Sequence, residues 1–199
     1  GCRKPDEAHE LEALQPHSIL PLDVGDEASV LSFSKVVDEH VGLLINNAGT
    51  SITNLGFDRD EVGVMKAPVA LTLDLIRING LSAAMVTRSL SDQLESGSKV
   101  ANITSQIGSM VVGSNFNDLP YAASKAVMNM VTVQLASQLK AKGIAVVAFH
   151  PGWVRTDMGG SSADISVEES AHGILSTLDT FQLEQSGAFL KWDGSIHPW

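Results

Sequence analysis

Cysteine is nearly absent from this sequence, in which Cys2 is the only one among 199 residues. A single thiol excludes a framework of intrachain disulfides and fits a reducing compartment, so a cytoplasmic protein is expected. The histidines also lack the regular spacing of zinc ligands, and no metal site is expected.

Basic residues are scarce, since 13 Lys and Arg oppose 23 Asp and Glu for a formal charge of −10. Nucleic-acid binding needs clustered Lys and Arg, so no nucleic-acid partner is expected, although a few local donors could still hold an anionic cofactor. No apolar run approaches the roughly 20 residues of a membrane span, and the charged segment Gly1–Pro16 does not resemble a signal peptide. We therefore expect no membrane partner either.

What the sequence does contain is an alternation of short apolar runs with longer amphipathic stretches. The first four runs have the composition of strands buried on both faces of a parallel sheet. The runs are Ile19–Leu22, Leu43–Ile45, Val100–Ile103, Ile144–Phe149 and Phe189–Trp192. This alternation predicts a single α/β domain over residues 1–199, with a doubly wound, Rossmann-like parallel sheet.

Helical patterns lie between the predicted strands. Asp26 is placed to cap one helix, and a long helix is predicted from about Pro68 to Leu94. A third runs from near Tyr121 to about Lys142 and ends at Gly143, and a fourth opens with a capping box at Ser166.

The segment Tyr121-Ala-Ala-Ser-Lys125 is the most specific chemical signal. Positions i and i+4 share a helix face, so the phenol and the ammonium project toward one point. A nearby ammonium favours phenolate and would lower the pKa of the tyrosine, which makes Tyr121 a candidate general acid or base. The alternative is a solvated Tyr and Lys on a helix surface.

Other polar groups follow predicted strands, at the sheet edge where ligands bind in open α/β folds. Ser105 could hydrogen-bond a reacting carbonyl, or it could merely cap the strand end. The small residues of Asn46–Gly49 would let a ligand approach the backbone, unless they form a turn without a ligand. Pro151 and Gly152 turn the chain at the same edge, where the backbone of Val154 could reach a flat, amide-bearing ring.

Taken together and in this order, Asn46–Gly49, Ser105, Tyr121 with Lys125, and Pro151-Gly152 resemble the short-chain dehydrogenase/reductase family. The ending, with Trp192-Asp193-Gly194 and Pro198-Trp199, is similar to its C-factor-like and sniffer-type carbonyl reductases. The resemblance implies an oxidoreductase that uses a nicotinamide cofactor on a small-molecule carbonyl or alcohol, and a homo-oligomer (dimer or tetramer) when complete.

The resemblance also implies individual roles. Tyr121 would be the general acid/base, Ser105 would polarise the carbonyl, and Asn79 would support a proton-relay water. Lys125 would hold the nicotinamide ribose. The residues implied in cofactor binding are Arg3, Asp23, Val24, Asn47, Ala48, Gly49, Tyr121, Lys125, Pro151, Val154 and Thr156. Arg3, where the family's second strand ends, favours NADP(H) over NAD(H), because an Arg there accommodates a 2′-phosphate.

One family feature is missing. None of the 17 glycines forms the Gly-x-x-x-Gly-x-Gly turn that follows the family's first, central strand and receives the pyrophosphate. We therefore expect an N-terminally incomplete sheet with two open hydrogen-bonding edges. The sequence could be a fragment of a longer protein, a chain from which that segment was left out, or a degenerate relative. A non-catalytic protein acting through dimer or partner contacts is the alternative function.

Overall fold

The computed structural model describes residues 1–199, with the exception of the side chain of Arg59. Four parallel strands form its sheet, in the spatial order of their numbering. They are β1 (Leu43–Asn46), β2 (Lys99–Ile103), β3 (Ala145–His150) and β4 (Ala188–Lys191). Each overlaps one of the predicted apolar runs, so the prediction of a parallel sheet is confirmed.

Helices cover both faces of this sheet. They are α1 (His9–Ala13), α2 (Glu27–Ser34), α3 (Val69–Leu75), α4 (Ser82–Ser89), α5 (Leu119–Leu139) and α6 (Val167–Thr180). One core cluster packs Ile174 and Leu178 of α6 against Val147 and Phe149. A second cluster packs Ala136 of α5 and its neighbours against the opposite face of β2 and β3. This is the predicted doubly wound arrangement.

The predicted caps explain where the helices begin and end. The carboxylate of Asp26 accepts a hydrogen bond from the backbone N–H of Ala28 at 3.0 Å, and the Ser166 hydroxyl accepts one from Glu169 at 3.1 Å. Gly143 follows a short 3₁₀ turn after α5 with φ of +73°, a conformation that L side chains rarely adopt.

The strand predicted over Ile19–Leu22 is wrong. Cys2 exchanges two backbone hydrogen bonds with Leu20 and Leu22, and this single parallel bridge is the only pairing found there among the described residues. Of the residues described, only Cys2 lies alongside the segment, and one partner residue is too little to form a ladder.

Burial of β1 on both faces was also predicted wrongly. Leu43 and Ile45 are 39% and 41% exposed, whereas every residue of β3 is buried. The reason is position, because β1 is the edge of the described sheet and pairs only with β2.

The long helix is interrupted and shorter than predicted. A π-helical segment, Ile76–Leu81, joins α3 to α4, and the helix ends at Ser89. Over Val69–Ser89 it is long and apolar enough to cross a membrane, contrary to the expectation from the sequence. It packs against α5 inside the domain, with Leu75 and Asn79 fully buried, and is therefore a core helix.

Candidate active site

Helix α5 carries Tyr121 and Lys125 to the carboxyl end of β2. Its first turn is fixed by Asp118, whose carboxylate accepts a hydrogen bond from the backbone N–H of Tyr121 at 3.1 Å. The buried Lys125 ammonium donates to the carbonyl oxygen of Ile103, the last residue of β2, at 2.9 Å. The same nitrogen lies 5.7 Å from the centre of the Tyr121 ring. The alternative of a solvated pair is thereby excluded for Lys125.

The electrostatics of this pair differ from the sequence expectation. The pKa of Tyr121 is raised to about 12, first by burial and then by the nearby Asp118 carboxylate. Burial lowers the pKa of Lys125 to about 8, so its charge is itself disfavoured. The expectation that Lys125 lowers the pKa of Tyr121 is therefore not met in this structure. The phenol stays protonated at neutral pH, as a proton donor must.

Asn79 lies in the π-helical segment and is fully buried. Its side-chain oxygen accepts a hydrogen bond from the Thr50 N–H at 2.8 Å, and its nitrogen donates to the Thr50 carbonyl at 2.9 Å and to the Ser124 hydroxyl at 3.1 Å. Gly80 permits this approach, because a Cβ there would lie 2.8 Å from the Ser124 carbonyl oxygen. The unusual Asn-Gly pair inside a helix is thus explained by close packing on α5.

Ser105 stands two residues beyond β2 and is 9% exposed. Its hydroxyl oxygen accepts a hydrogen bond from the Ile107 N–H at 3.2 Å and so caps the 3₁₀ turn Gln106–Gly108. The interpretation that Ser105 caps the end of the strand is therefore correct, with the hydroxyl oxygen as the acceptor. The hydroxyl proton remains able to donate to a ligand oxygen.

The turn after β1 lies beside Asn79 and Lys125. Asn47, Ala48 and Gly49 are exposed at the end of the strand. A Cβ on Gly49 would lie 3.3 Å from the Asn79 side-chain oxygen and 3.8 Å from the Lys125 ammonium nitrogen. The structure therefore brings together the three predicted signals at residues 47–49, 79 and 121–125.

The loop after β3 also reaches Tyr121. Gly152 has φ of +88°, and a Cβ there would lie 2.4 Å from the Ile165 side chain, so Pro151-Gly152 makes a turn that only glycine fits. Val154 forms a parallel bridge with Ile165, and the Thr156 hydroxyl accepts a hydrogen bond from Gly159 at 3.1 Å. The Tyr121 hydroxyl contacts the sulfur of Met158 in this loop at 3.9 Å.

Three predicted residues lie outside this group. Arg3 is exposed just past the Cys2 bridge, and the Asp23 carboxylate accepts a hydrogen bond from Gly25 at 2.9 Å. Val24 packs with the cluster around Val30. Among the described residues, no hydrogen bond joins any of them to Tyr121 or Lys125.

Sequence reasoning did not predict two contacts close to Tyr121. Ser124 links Asn79 to α5, because its hydroxyl donates to the Tyr121 carbonyl at 2.7 Å while accepting from Asn79. Its place inside the Tyr121–Lys125 segment was a usable signal. The contact between Met158 and Tyr121 had no such signal, because only the folded loop shows that the sulfur meets the phenol.

A cavity of about 280 Å³ opens beside the turn that Ser105 caps. It is lined by Asp60, Ile107, Phe116, Asn117 and Asp118. Four of these belong to the segment 106–119, which runs from the 3₁₀ turn after Ser105 to the start of α5. The cavity offers apolar and polar groups in the dimensions of a small molecule.

Comparison with known proteins identifies the family. The short chain dehydrogenase family matches residues 4–165. The C-signal protein of Myxococcus xanthus is 35% identical over 161 residues, which cover 80% of this chain and 93% of that protein. The 1-hydroxy-2-glutathionyl-2-methyl-3-butene dehydrogenase of Rhodococcus sp. (strain AD45) is 33% identical, over 70% of this chain and 63% of its own.

Solved structures agree with the sequence relatives. The NADPH-bound carbonyl reductase from chicken fatty liver superposes with a TM-score of 0.88 at 30% identity, covering 100% of this chain and 86% of its own. The carbonyl reductase Sniffer of D. melanogaster gives the same TM-score and coverage at 26% identity. The predictions of a Rossmann-like fold and of the family are confirmed. The chain belongs to the short-chain dehydrogenase family and is an oxidoreductase of alcohol and carbonyl groups.

Proposed function

We propose that this protein is an NADP(H)-dependent oxidoreductase that reduces carbonyl groups of small molecules by hydride transfer, or oxidises the corresponding alcohols. One observation carries the proposal. The Lys125 ammonium lies at the end of β2, 5.7 Å from the Tyr121 ring centre and beside the open turn at Gly49. A proton donor, a cation and accessible backbone therefore share one edge of the sheet.

The residues present fit the nicotinamide end of such a cofactor. Asn47–Gly49 expose backbone beside Lys125, so a ribose bound along that turn would lie within reach of the ammonium. Pro151-Gly152 and the backbone of Val154 form the opposite wall, suited to the flat carboxamide ring. When bound, the reduced cofactor supplies the hydride.

The protein's own groups handle the oxygen of the substrate. The Ser105 hydroxyl donates a hydrogen bond to the carbonyl oxygen and stabilises the charge that develops on it. Tyr121 then gives its phenolic proton to that oxygen, and the high pKa of the buried phenol keeps this proton available at neutral pH. Asn79, tied to Thr50 and Ser124, holds the helix against the site. The sulfur of Met158 contacts the phenol hydroxyl at 3.9 Å.

Preference for NADP(H) rests on Arg3, which is exposed one residue beyond the Cys2 bridge. A guanidinium in that position can grip a 2′-phosphate, while an acidic residue would repel it. The chicken relative was solved with NADPH bound, which supports the same choice.

Nothing in the site supports the non-catalytic alternative, because Tyr121, Lys125, Ser105 and Asn79 are all present and joined through α5 and the end of β2. We also propose that the enzyme is homo-oligomeric and cytoplasmic. It is active in a form whose sheet is complete.

The experiment is to add a panel of aldehydes and ketones to the purified full-length protein with NADPH, and to follow NADPH consumption. Direct titrations with NADPH and NADH measure the two dissociation constants. We expect carbonyl-dependent oxidation of NADPH and tighter binding of NADPH than of NADH. A folded protein that binds neither dinucleotide would refute the proposal.

A further inference from the structure

One turn beyond Lys125, helix α5 carries a buried amide that the mechanism does not use. Tyr121, Lys125 and Asn129 follow at intervals of four, so they form one stripe on the helix. Asn129 is 5% exposed, and both ends of its amide are occupied. Its oxygen accepts a hydrogen bond from the Thr104 hydroxyl at 2.7 Å, and its nitrogen donates to the Gly108 carbonyl at 3.2 Å.

These two partners stand on either side of Ser105 in the chain. Thr104 immediately precedes it, and its N–H donates to the Phe149 carbonyl of β3 at 2.8 Å. Gly108 ends the 3₁₀ turn that Ser105 caps. It lies flat on α5, where a Cβ would come within 2.6 Å of the Lys125 carbonyl carbon. The Ser105 loop is thus fastened to α5 on both flanks.

We propose that Asn129 is a positioning residue of the active site, which sets the Ser105 hydroxyl relative to Tyr121 and Lys125. It touches no reacting atom and acts through Thr104 and Gly108. The inference rests on the proposed function, since it assigns a purpose to the distance between Ser105 and Tyr121 in carbonyl reduction.

The chemistry of the position requires an amide. Thr104 offers a hydroxyl donor and Gly108 a carbonyl acceptor, so the side chain between them must accept at one atom and donate at another. Aspartate would keep the acceptor and lose the donor. Leucine has a similar volume but would leave the Gly108 carbonyl without its donor, and the Thr104 hydroxyl would keep only its longer hydrogen bond to the Lys125 carbonyl at 3.3 Å. The loop would then shift to reach other partners.

The test compares Asn129→Leu with Thr132→Val, a matched control three residues further along α5. Thr132 is also buried and accepts a hydrogen bond, at 2.9 Å, from Asn102 of β2 rather than from the loop. In the full-length protein we expect Asn129→Leu to lower kcat by roughly 10- to 100-fold, as a misplaced catalytic group does, with less than a twofold change in the NADPH dissociation constant. Thr132→Val should keep kcat within about twofold.

Epistasis separates positioning from a general loss of structure. If Asn129 acts through Ser105, then Asn129→Leu should cost less than about twofold in a Ser105→Ala background, where no hydroxyl remains to be placed. If the losses in kcat of the two single variants simply multiply in the double variant, the proposal is overturned. Should Asn129→Leu fail to fold, Asn129→Asp preserves the shape and is expected to act in the same direction.

A second readout needs no activity. Hydrogen exchange of the backbone amides in residues 104–113 reports how firmly the loop is held. We expect faster exchange there in Asn129→Leu and unchanged exchange in Thr132→Val. Equal exchange in both variants would refute the positioning role even if the protein reduces carbonyls. Faster exchange in Asn129→Leu alone would uphold the anchoring of the loop even if the proposed reaction fails.

Discussion

Two regions of this molecule are built very differently. Around β2, β3 and α5 the strands are buried, and Lys125 and Asn79 are enclosed with their polar atoms partnered. Around the first strand, Leu43 and Ile45 are exposed, the Cys2 segment makes only a bridge, and Arg3 is exposed. The residues proposed for proton transfer therefore lie in a firmly packed region, whereas the residues proposed for the adenosine end of the cofactor lie in an open one.

The largest expected effect concerns the open region, and completing that region should remove the contrast. We predict that residues 1–199 expressed alone are aggregated or loosely folded and bind no measurable NADPH. On its outer side β1 has no partner among the described residues, and each unpaired buried backbone group costs about 1–3 kcal/mol. Typical domains have only about 5–15 kcal/mol of stability. Thermal melts and NADPH titrations measure both properties.

A longer chain that supplies a strand for β1 and a glycine-rich turn should restore folding and binding together. The same extension with its strand residues replaced by a flexible Gly-Ser segment is the control and should restore neither. A cooperative melt and micromolar NADPH binding by residues 1–199 alone would show that the open edge is harmless.

The next largest effect lies in the packed region. Tyr121→Phe in the full-length protein should abolish turnover, because loss of a general acid or base typically costs about 10²- to 10⁴-fold. NADPH binding and the melting temperature should change little, since the ring still packs against the cluster of Ile52 and Leu75. Steady-state kinetics and a binding titration check this. Retention of more than about a tenth of the rate would remove Tyr121 from the role.

A smaller effect is expected on stability in acid. Burial, together with the positive charges of His197 and Lys191, lowers the pKa of His150 from 6.5 to about 4. Between these values the unfolded chain binds a proton that the folded chain does not, so the stabilisation is complete above pH 6.5 and is lost as the pH falls toward 4. The shift corresponds to about 3 kcal/mol of unfolding free energy at most.

Urea unfolding at a series of pH values between these limits tests the assignment. His150→Gln should flatten the acid limb of the stability curve, whereas His172→Gln, on the exposed side of α6, should retain the pH dependence of the parent. An acid limb that is unchanged by His150→Gln would place the titrating group elsewhere.

The contrast between the packed and the open region also explains which predictions from the sequence were correct. Strands β2 and β3 and the two capped helices followed from apolar runs and from Asp26 and Ser166, because local pattern and tertiary burial agree there. The Ile19–Leu22 strand failed because a strand is defined by its partner, and only Cys2 lies alongside. Composition could not reveal that.

Within the candidate site, spacing along one helix was enough to pair Tyr121 with Lys125. It could not predict whether the pKa of Tyr121 is raised or lowered, because that pKa is set by burial and by Asp118, which are properties of the fold. Nor could it predict the contacts of Asn129 and Met158, whose partners are distant in the sequence or lie on another loop.

The smallest expected effect returns to the open region, at Arg3. Arg3→Asp should shift preference from NADPH toward NADH, because a carboxylate repels the 2′-phosphate and can accept a hydrogen bond from the 2′-hydroxyl of NADH. We expect the ratio of the two dissociation constants to change by roughly tenfold, which corresponds to about 1.4 kcal/mol. Lys4→Asp is the matched control, since Lys4 is also exposed but is paired with Glu7 at 2.9 Å, and it should leave the ratio unchanged. Tyr121→Phe should leave it unchanged as well, because the phenol lies with the packed region and contacts Met158 rather than the Cys2 segment. An unaltered ratio in Arg3→Asp would mean that Arg3 does not read the phosphate, and that cofactor choice is made by groups nearer the packed region.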